Sequence, residues 1–527
     1  MQKKNKKKIA IIFFLSFFLI GSSVFKDYGV SSDEYASRIK GFVTLNYLGE
    51  KISPETNKKY KRNKNIPELE NYNRNIYGVV FEAPVSFLEV VFDIKDKKNQ
   101  FLLRHYLNFI IFFIGTIYFF KLLQIRFNNF KLSILGTSFL ILSPRIFANS
   151  FYNNKDLVFL SFFIIASFYA IKFIKKQNFK NSLKFSLFSA LAIDIRILGI
   201  LLPFATLTIN LIKNFFHKKI KEKLNINISI IFFVIIFTII FWPYLWENPF
   251  KNFIFAFKGM ANFDINTYNL FFGEQISGKD VKWFYIPAWI AITTPIIYLL
   301  LFFVGITISL KSVFYNRFHH RSDDFFIDLF FAGCFFSPLI SVIIFNSTLY
   351  NGWRQLYFIY PSLIYFSVVA CNYFLNLKYK KLFYVFSLIL FLNLTSVAFW
   401  MFKNHPYQYV FFNNFILKKN IHKEFDLDYW GLSYKQNFEF ILKNESRDEI
   451  KIYNLSDNNL FNHLFSLDQK SRDRFILTKD IFNADYLITN FYSDQEYSKI
   501  NILDKYEIFN EILVNNNSIN TVYKKLD

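Results

Sequence analysis

Apolar residues run through this chain in long, nearly uncharged stretches separated by short basic loops. Eleven can be counted: about 9–25, 101–120, 130–147, 157–174, two arms within 183–216, then 226–245, 289–310, 325–345, 355–375 and 382–402. At ~1.5 Å per residue, about 20 residues match the ~30 Å hydrocarbon core of a bilayer. A soluble core alternates burial with exposure and has no use for so many continuous apolar runs. The pattern predicts a mainly α, polytopic membrane protein of about eleven transmembrane helices. The stretch Leu183–Phe216 is too long for one span and carries lysines at both ends. It therefore predicts two short helices turning at Asp194-Ile195-Arg196, which either pair with each other or face a substrate cavity.

The pattern changes after about residue 402. Glu449–Leu455, Arg474–Thr478, Ala484–Phe491 and Thr521–Leu526 alternate and read as strands. Leu432–Leu442 and Asn458–Phe465 read as helices. The expected organisation is a transmembrane domain over 1–402, with long loops at 26–100 and 246–288, and a small α/β domain over 403–527. The loop after Trp242-Pro243-Tyr244-Leu245-Trp246 is dense in aromatics, and an interfacial helix accounts for them better than a specific box. No internal repeat is visible, so the inverted-repeat plan of many transporters has no support.

Charge orients the helices. The net charge is +23. Basic residues cluster in the short loops between apolar runs: Lys3–Lys8, Lys121 and Arg126, Lys172–Lys180, Lys213–Lys223, Lys311, Arg317 and Arg321, and Lys378, Lys380 and Lys381. Alternating spans put all of these on one side, which the positive-inside rule makes cytoplasmic. This predicts a multi-pass protein of the cell (inner) membrane, with a cytoplasmic N-terminus on a retained first anchor and an extracytoplasmic C-terminal domain. No Arg-rich or aromatic-interleaved motif points to nucleic acid. Cys334 and Cys371 both lie in apolar runs, so neither a disulfide framework nor a cysteine zinc site is available. The histidines, the adjacent His319-His320 included, show no metal-ligand spacing. No cofactor is predicted, and assistance by a divalent metal stays open.

The unusual polar residues gather where the spans leave the membrane on the extracytoplasmic side. Ser31-Ser32-Asp33-Glu34 opens a helix-like stretch through Leu48. A helix cap with acidic first-turn residues explains it; so does a catalytic carboxylate pair. Adjacent helical residues point ~100° apart, so the two carboxylates should have different jobs. Pro144-Arg145 and Asn153-Asn154-Lys155-Asp156 bracket a second loop, and Arg354 stands at the entrance of a third. Each fits a capped helix start or an interfacial arginine. The long loop adds Glu247, Asp264, Glu274 and Lys279. As a set, carboxylates beside cations suit transfer between a lipid phosphate and an acceptor: a carboxylate deprotonates the acceptor, and cations stabilise the departing phosphate.

Asp33-Glu34, Ser143-Pro144-Arg145 through Asn154-Lys155-Asp156, Asp194-Ile195-Arg196-Ile197-Leu198-Gly199, Trp242 through Pro249, Trp353-Arg354 and His405-Pro406-Tyr407-Gln408-Tyr409 form an ordered set. With it the chain resembles the membrane-embedded GT-C type glycosyltransferases that use lipid-carrier donors, among them protein O-mannosyltransferases and the aminoarabinose transferase of lipid A. The resemblance implies a polyprenyl-phosphate-linked sugar as donor and a cavity between helices and extracytoplasmic loops. It implies Asp33 as the acceptor-activating base with Glu34 beside it, Asp156 as second acidic contact, and Arg145, Lys155, Arg196 and Arg354 at the carrier phosphate. Transfer would be a single displacement with inversion. The C-terminal domain departs from those of the well-known members, so the acceptor (protein, lipid or glycan) does not carry over. A transporter or flippase of a lipid-linked saccharide is the alternative; it should place polar residues at the midplane, often in broken helices. A glycan polymerase or ligase is a third reading, without need of an early acidic pair.

Overall fold

The computed structural model describes residues 3–55, 66–261, 267–315, 322–377, 379–416, 421–492 and 505–526. The sequence expectations placed on Asp264, Arg317, His319, His320, Arg321 and Lys378 lie outside the described residues. All eleven apolar stretches are helical. They are α1 (Lys3–Val24), α4 (Lys97–Phe127), the pair α5 (Phe130–Ile141) and α6 (Pro144–Tyr152), α7 (Asp156–Lys175), α8 (Phe179–Ile195), α9 (Leu201–Phe216) and α10 (Ile220–Phe241). Beyond a loop helix, α11 (Pro249–Ala261), come α12 (Tyr285–Thr293), α13 (Ile296–Tyr315), α14 (Asp323–Ile344), α15 (Tyr360–Leu375) and α16 (Lys380–Lys403). Among the described residues, eight helices are long and apolar enough to cross a membrane, or nine if the bent α5–α6 pair is one span. The 17-residue α8 and the apolar run Ile296–Lys311 of α13 fall short by length.

Two stretches expected as straight rods are broken. α5 and α6 meet at 66°. The cause is Pro144: a proline ring disfavours the helical conformation in the residue before it, and Ser143 is accordingly extended at φ −101, ψ 103. Pro295 acts alike on Thr294, which is extended at φ −103, ψ 140 and separates α12 from α13. The predicted α8–α9 hairpin is present. Arg196 leaves the helix extended, and a short 3-10 turn, Ile197–Ile200, leads into α9. Gly199 makes the reversal possible, because a Cβ there would stand 2.6 Å from the Ile193 backbone nitrogen.

Burial tells the centre of the bundle from its rim. In the most apolar window of α7, 89% of residues are buried, against 11% in α1 and in α16. So α7 is central and the other two face lipid. Phenyl rings fill the interior: Phe109, Phe112, Phe119, Phe139, Phe163 and Phe330 are all fully enclosed. At one end of the bundle Arg126 of α4 pairs with Asp324 and Asp328 of α14, both at 3.0 Å, and Lys213 of α9 pairs with Asp323 at 2.5 Å. These charges are consumed in holding helices together.

The opposite end carries the long loops. The first contains α2 (Glu34–Ile52) and α3 (Glu82–Val91). An enclosed ionic network fixes them to α4: Arg38 and Arg104 share Glu89, Arg104 donates to Ser86 Oγ at 3.0 Å, and its Nε lies 3.8 Å from Glu82. The long loop contains the helix α11, on which Phe250, Phe255 and Phe257 are exposed. A small hairpin of β1 (Tyr268–Phe271) and β2 (Glu274–Ser277) follows, which the sequence pattern did not anticipate.

The C-terminal region holds α17 (Tyr434–Asn444) and five strands: β3 (Ile450–Asn454), β4 (Phe475–Leu477), β5 (Tyr486–Thr489), β6 (Tyr506–Val514) and β7 (Asn517–Lys525). Their order is β4-β3-β5-β7-β6, with β3 parallel to β4 and β5, and β7 antiparallel to β5 and β6. β6 was not foreseen; its pairing with β7 turns at Asn515-Asn516, both at positive φ, as a two-residue hairpin turn requires. Tyr434, Phe438 and Ile441 of α17 pack on Ile450, Ile452 and Ile488 to make a separate small core.

Candidate active site

Three loops converge on Asp33. It occupies the N-cap position of α2, but its carboxylate accepts no capping hydrogen bond. The side chain keeps 33% of its surface open, toward a recess between the first loop, the α6–α7 loop and the entrance to α15. Helix capping therefore does not explain this residue. Burial works to raise its pKa, but Lys155, Arg354, Arg74 and Arg196 outweigh it and hold the carboxyl below its ordinary value.

Glu34 turns the other way, as the ~100° step along a helix demands. It is 1% exposed; one oxygen accepts from the Ser31 backbone N–H at 2.6 Å and the other lies 2.9 Å from His105 Nε2. The structure thus separates the pair: Asp33 faces the recess, and Glu34 fastens α2 to α4. Glu34→Gln keeps an acceptor for Ser31 but removes the charge facing His105. We expect a loss of ~1–3 kcal/mol of stability in thermal unfolding, with transfer by the folded fraction largely kept.

Asp156 begins α7, where the positive end of the helix favours a carboxylate. Asn153 aims it twice: Asn153 Oδ1 accepts from the Asp156 N–H at 2.9 Å, and Asn153 Nδ2 donates to Asp156 Oδ2 at 3.0 Å. Arg196 donates to its Oδ1, and Arg354 to its Oδ2 at 3.2 Å. Arg196 therefore pairs with Asp156 and not with Asp194, which instead accepts from the Val80 N–H at 2.7 Å and holds the first loop. The sequence left a pairing of Asp194 with Arg196 open, and the helix break sends the two side chains apart.

Arg354 joins the two acids, because its Nη2 also lies 3.9 Å from Asp33 Oδ2. Its guanidinium stands over Tyr350 at 5.0 Å and Trp430 at 4.9 Å. The preceding turn sets its direction. Asn351 and Gly352 have φ of 57 and 74, and their N–H groups donate to Asn269 Oδ1 at 2.8 Å and the Tyr285 hydroxyl at 3.1 Å. Lys155 points its ammonium over Tyr77 at 5.1 Å, and among the described residues no carboxylate pairs with it. Burial lowers its pKa, with Asp33 opposing. Asn154 beside it donates to Glu82, which couples the second loop to the ionic network under α2.

Arg145 is brought less close. Its Nε donates to the Phe411 carbonyl at 2.9 Å, and its guanidinium lies over Phe412 and Trp289 at 4.8 and 5.4 Å. Tyr357 feels the charges of Arg145, Asp156 and Arg354.

Sequence reasoning missed Arg74, Trp430 and Lys40. Arg74 acts on Asp33 from within the first loop. Trp430 arrives from the C-terminal region, which docks on the same loop: Ser32 N donates to the Trp430 carbonyl at 3.2 Å, and His463 Nδ1 lies 2.8 Å from the Val30 carbonyl. Burial pushes the His463 pKa down to about 4, so this contact is made by a neutral ring. Lys40 donates to the Gly78 carbonyl at 2.7 Å, and burial lowers its pKa to about 8. The one usable signal was the aromatic and acidic run Asp426–Trp430 in an otherwise polar tail. Among the described residues no group of three or more His, Cys, Asp and Glu is arranged to hold a metal, and both oxygens of Asp156 are taken by arginines.

A polytopic helical bundle with a charged recess at one end and a small sheet-containing C-terminal region is consistent with the fold of GT-C type glycosyltransferases. Residues 87–242 match the family described as dolichyl-phosphate-mannose-protein mannosyltransferase. The matched span runs from within α3 to the end of α10 and contains Arg145, Lys155, Asp156 and Arg196. It supports a mannosyltransferase-like membrane glycosyltransferase that uses a lipid-linked donor. Asp33, Glu34 and Arg354 lie outside it. A comparison with curated proteins finds no match.

Proposed function

We propose that the protein transfers a hexose from a polyprenyl-phosphate carrier to a hydroxyl acceptor on the extracytoplasmic face of the cell membrane, by a single displacement with inversion. The observation that carries this reading is the open Asp33 carboxylate, free of capping duty and set among cations. Asp33 takes the acceptor's proton, the acceptor oxygen attacks the anomeric carbon, and the bond to the phosphate oxygen breaks with its electron pair leaving on the polyprenyl phosphate. Glu34 takes no part in the chemistry; it fastens the start of α2 to α4.

Charge supports the direction of the reaction. Four cations (Arg74, Lys155, Arg196 and Arg354) face two carboxylates in the recess, an excess of two positive charges. The donor phosphodiester carries one negative charge. The departing monoester carries nearly two at neutral pH, since its second pKa is ~6. The recess thus favours the charge that develops over the charge that enters. Asp156 keeps Arg196 and Arg354 from collapsing onto Asp33, and Lys155 and Arg74 remain to meet the phosphate.

The test is transfer in liposomes. Purified protein supplied with a mannosyl-phosphoryl polyprenol and a hydroxyl acceptor should release polyprenyl phosphate. Donor turnover no faster than in protein-free liposomes, whatever acceptor is supplied, would rule the reading out.

The pH profile gives a second check. A base with a depressed pKa is ionised above that pKa and loses activity as pH falls through it. The acid limb of kcat/KM should therefore lie below the ordinary aspartate range, under pH ~4. Lys155→Ala removes the cation with the largest effect on Asp33, so the limb should move to higher pH. A limb that stays put in this variant would remove Asp33 as the titrating base.

A further inference from the structure

Of the cations around Asp33, Lys155 has the largest effect on it, yet among the described residues the two form no ion pair. A lysine ammonium is a point charge on a flexible stem, free to close on a carboxylate within its reach. We propose that Tyr77 is the positioning residue that keeps the two apart: its ring seats the Lys155 ammonium, so that the Asp33 carboxylate stays open to take a proton and the ammonium stays open to meet the phosphate. The use made of the two groups rests on the reaction proposed above; the seating of Lys155 does not.

The ring is placed to do this. The Lys155 ammonium stands 5.1 Å from the Tyr77 ring centroid, inside the ~6 Å reach of a cation–π contact. The backbone around Lys155 is tied on both sides. Asn154 donates to Glu82, and Asp156 is held by Asn153, Arg196 and Arg354. That leaves the choice of partner to the side chain. Arg74, Arg196 and Arg354 repel the ammonium and Asp33 attracts it. The ring offers an attraction that leaves the carboxylate uncovered.

Tyr77 is half-buried in a long loop, but the loop is pinned where it stands. The next residue, Gly78, lies so close to the α8–α9 reversal that a Cβ would run into the Asp194 carbonyl oxygen. The Val80 N–H donates to Asp194 Oδ1 at 2.7 Å, and Lys40 donates to the Gly78 carbonyl, also at 2.7 Å. The side of Tyr77 packs on a cluster that includes Ile76, Ile197, Trp242 and Leu245. Lys40 approaches the same ring, at 5.8 Å, but its bond to Gly78 commits it to the loop. Asp194 and Lys40 thus hold the ring that holds Lys155.

Competitive acetylation of the full chain in nanodiscs tests this with no substrate present. Acetic anhydride attacks an amine only after its proton has left. The midpoint of the Lys155 labelling rate against pH, read by mass spectrometry, therefore reports the charges beside it. Tyr77→Leu removes the ring. Lys155 should then close on Asp33, and the midpoint should rise by about one pH unit, because a paired carboxylate favours the charged amine. Tyr77→Phe keeps the ring and should restore the parental midpoint. In an Asp33→Asn background, Tyr77→Leu should leave the midpoint where it stands, since no carboxylate remains to close on. A midpoint unmoved by Tyr77→Leu would show that repulsion among the cations, and not the ring, keeps Lys155 away. A rise that persists in Tyr77→Phe would assign the role to the hydroxyl, and one that persists with Asp33→Asn would remove the ion pair as its cause; either result overturns the proposal. In liposomes, the acid limb of kcat/KM should move to lower pH in Tyr77→Leu, opposite to Lys155→Ala, because a closed ion pair stabilises the ionised Asp33. A limb that moves to higher pH would refute closure on Asp33. The labelling needs no transfer, so a lack of donor turnover would sink the proposed reaction and leave the seat of Lys155 standing.

Discussion

Asp33→Asn is expected to lower kcat for sugar transfer by ~10²–10⁴, the usual contribution of a general base. The amide occupies the same space and can still meet Arg354, so donor binding should change by only a few-fold. Transfer in reconstituted liposomes measures the first quantity, and binding of labelled donor the second. A large loss of donor binding with a modest loss of kcat would mean that Asp33 organises cations and abstracts no proton. Full activity would remove it from the mechanism.

The second large effect is expected at Asp156. Its two oxygens serve Arg196, Arg354 and Asn153, and Asp156, Arg354 and Asn153 are buried. Asp156→Asn leaves two guanidinium groups facing an amide. Removing one partner of an enclosed ion pair costs about 3–5 kcal/mol. The variant should unfold at a clearly lower temperature and should bind donor poorly, because Arg354 loses its alignment. A double variant with Arg354→Gln should recover part of the stability but not the binding. Equal stability of Asp156→Asn and the parent chain would show that the arginines hold their places without it.

Much of the architecture was legible in the sequence. Eleven apolar stretches all became helices, because in hydrocarbon the backbone must satisfy its own hydrogen bonds. The breaks at Ser143 and Thr294 went unread although Pro144 and Pro295 announced them; a hydropathy window averages over a single residue. β6 and the β1–β2 hairpin were hidden because their alternation is weak and their edges are polar. In the site, residues next to a helix end were found, and Lys40 within α2 and Arg74 and Trp430 in loops were not. Asp33, Asp156 and Arg354 each stand at the start of a helical segment, where spacing gives a signal. Arg74 reaches Asp33 from elsewhere in the same loop, and Trp430 reaches Ser32 from 398 residues away, contacts which no local pattern encodes. The separate fates of Asp33 and Glu34 were half visible: helical geometry says they diverge, and only the position of His105 says which one is enclosed.

Trp430 sets a timetable for the site. Asp33 is made before Trp430, whose indole stands over Arg354, by almost 400 residues. At roughly 5–20 residues per second, that interval is about 20–80 s. Throughout it the first loop waits with its carboxylate lacking the roof that the tail supplies. The recess is assembled only after the helices from α2 to α16 have been made, so a chain halted among them carries the acid without the chamber that gives it a task.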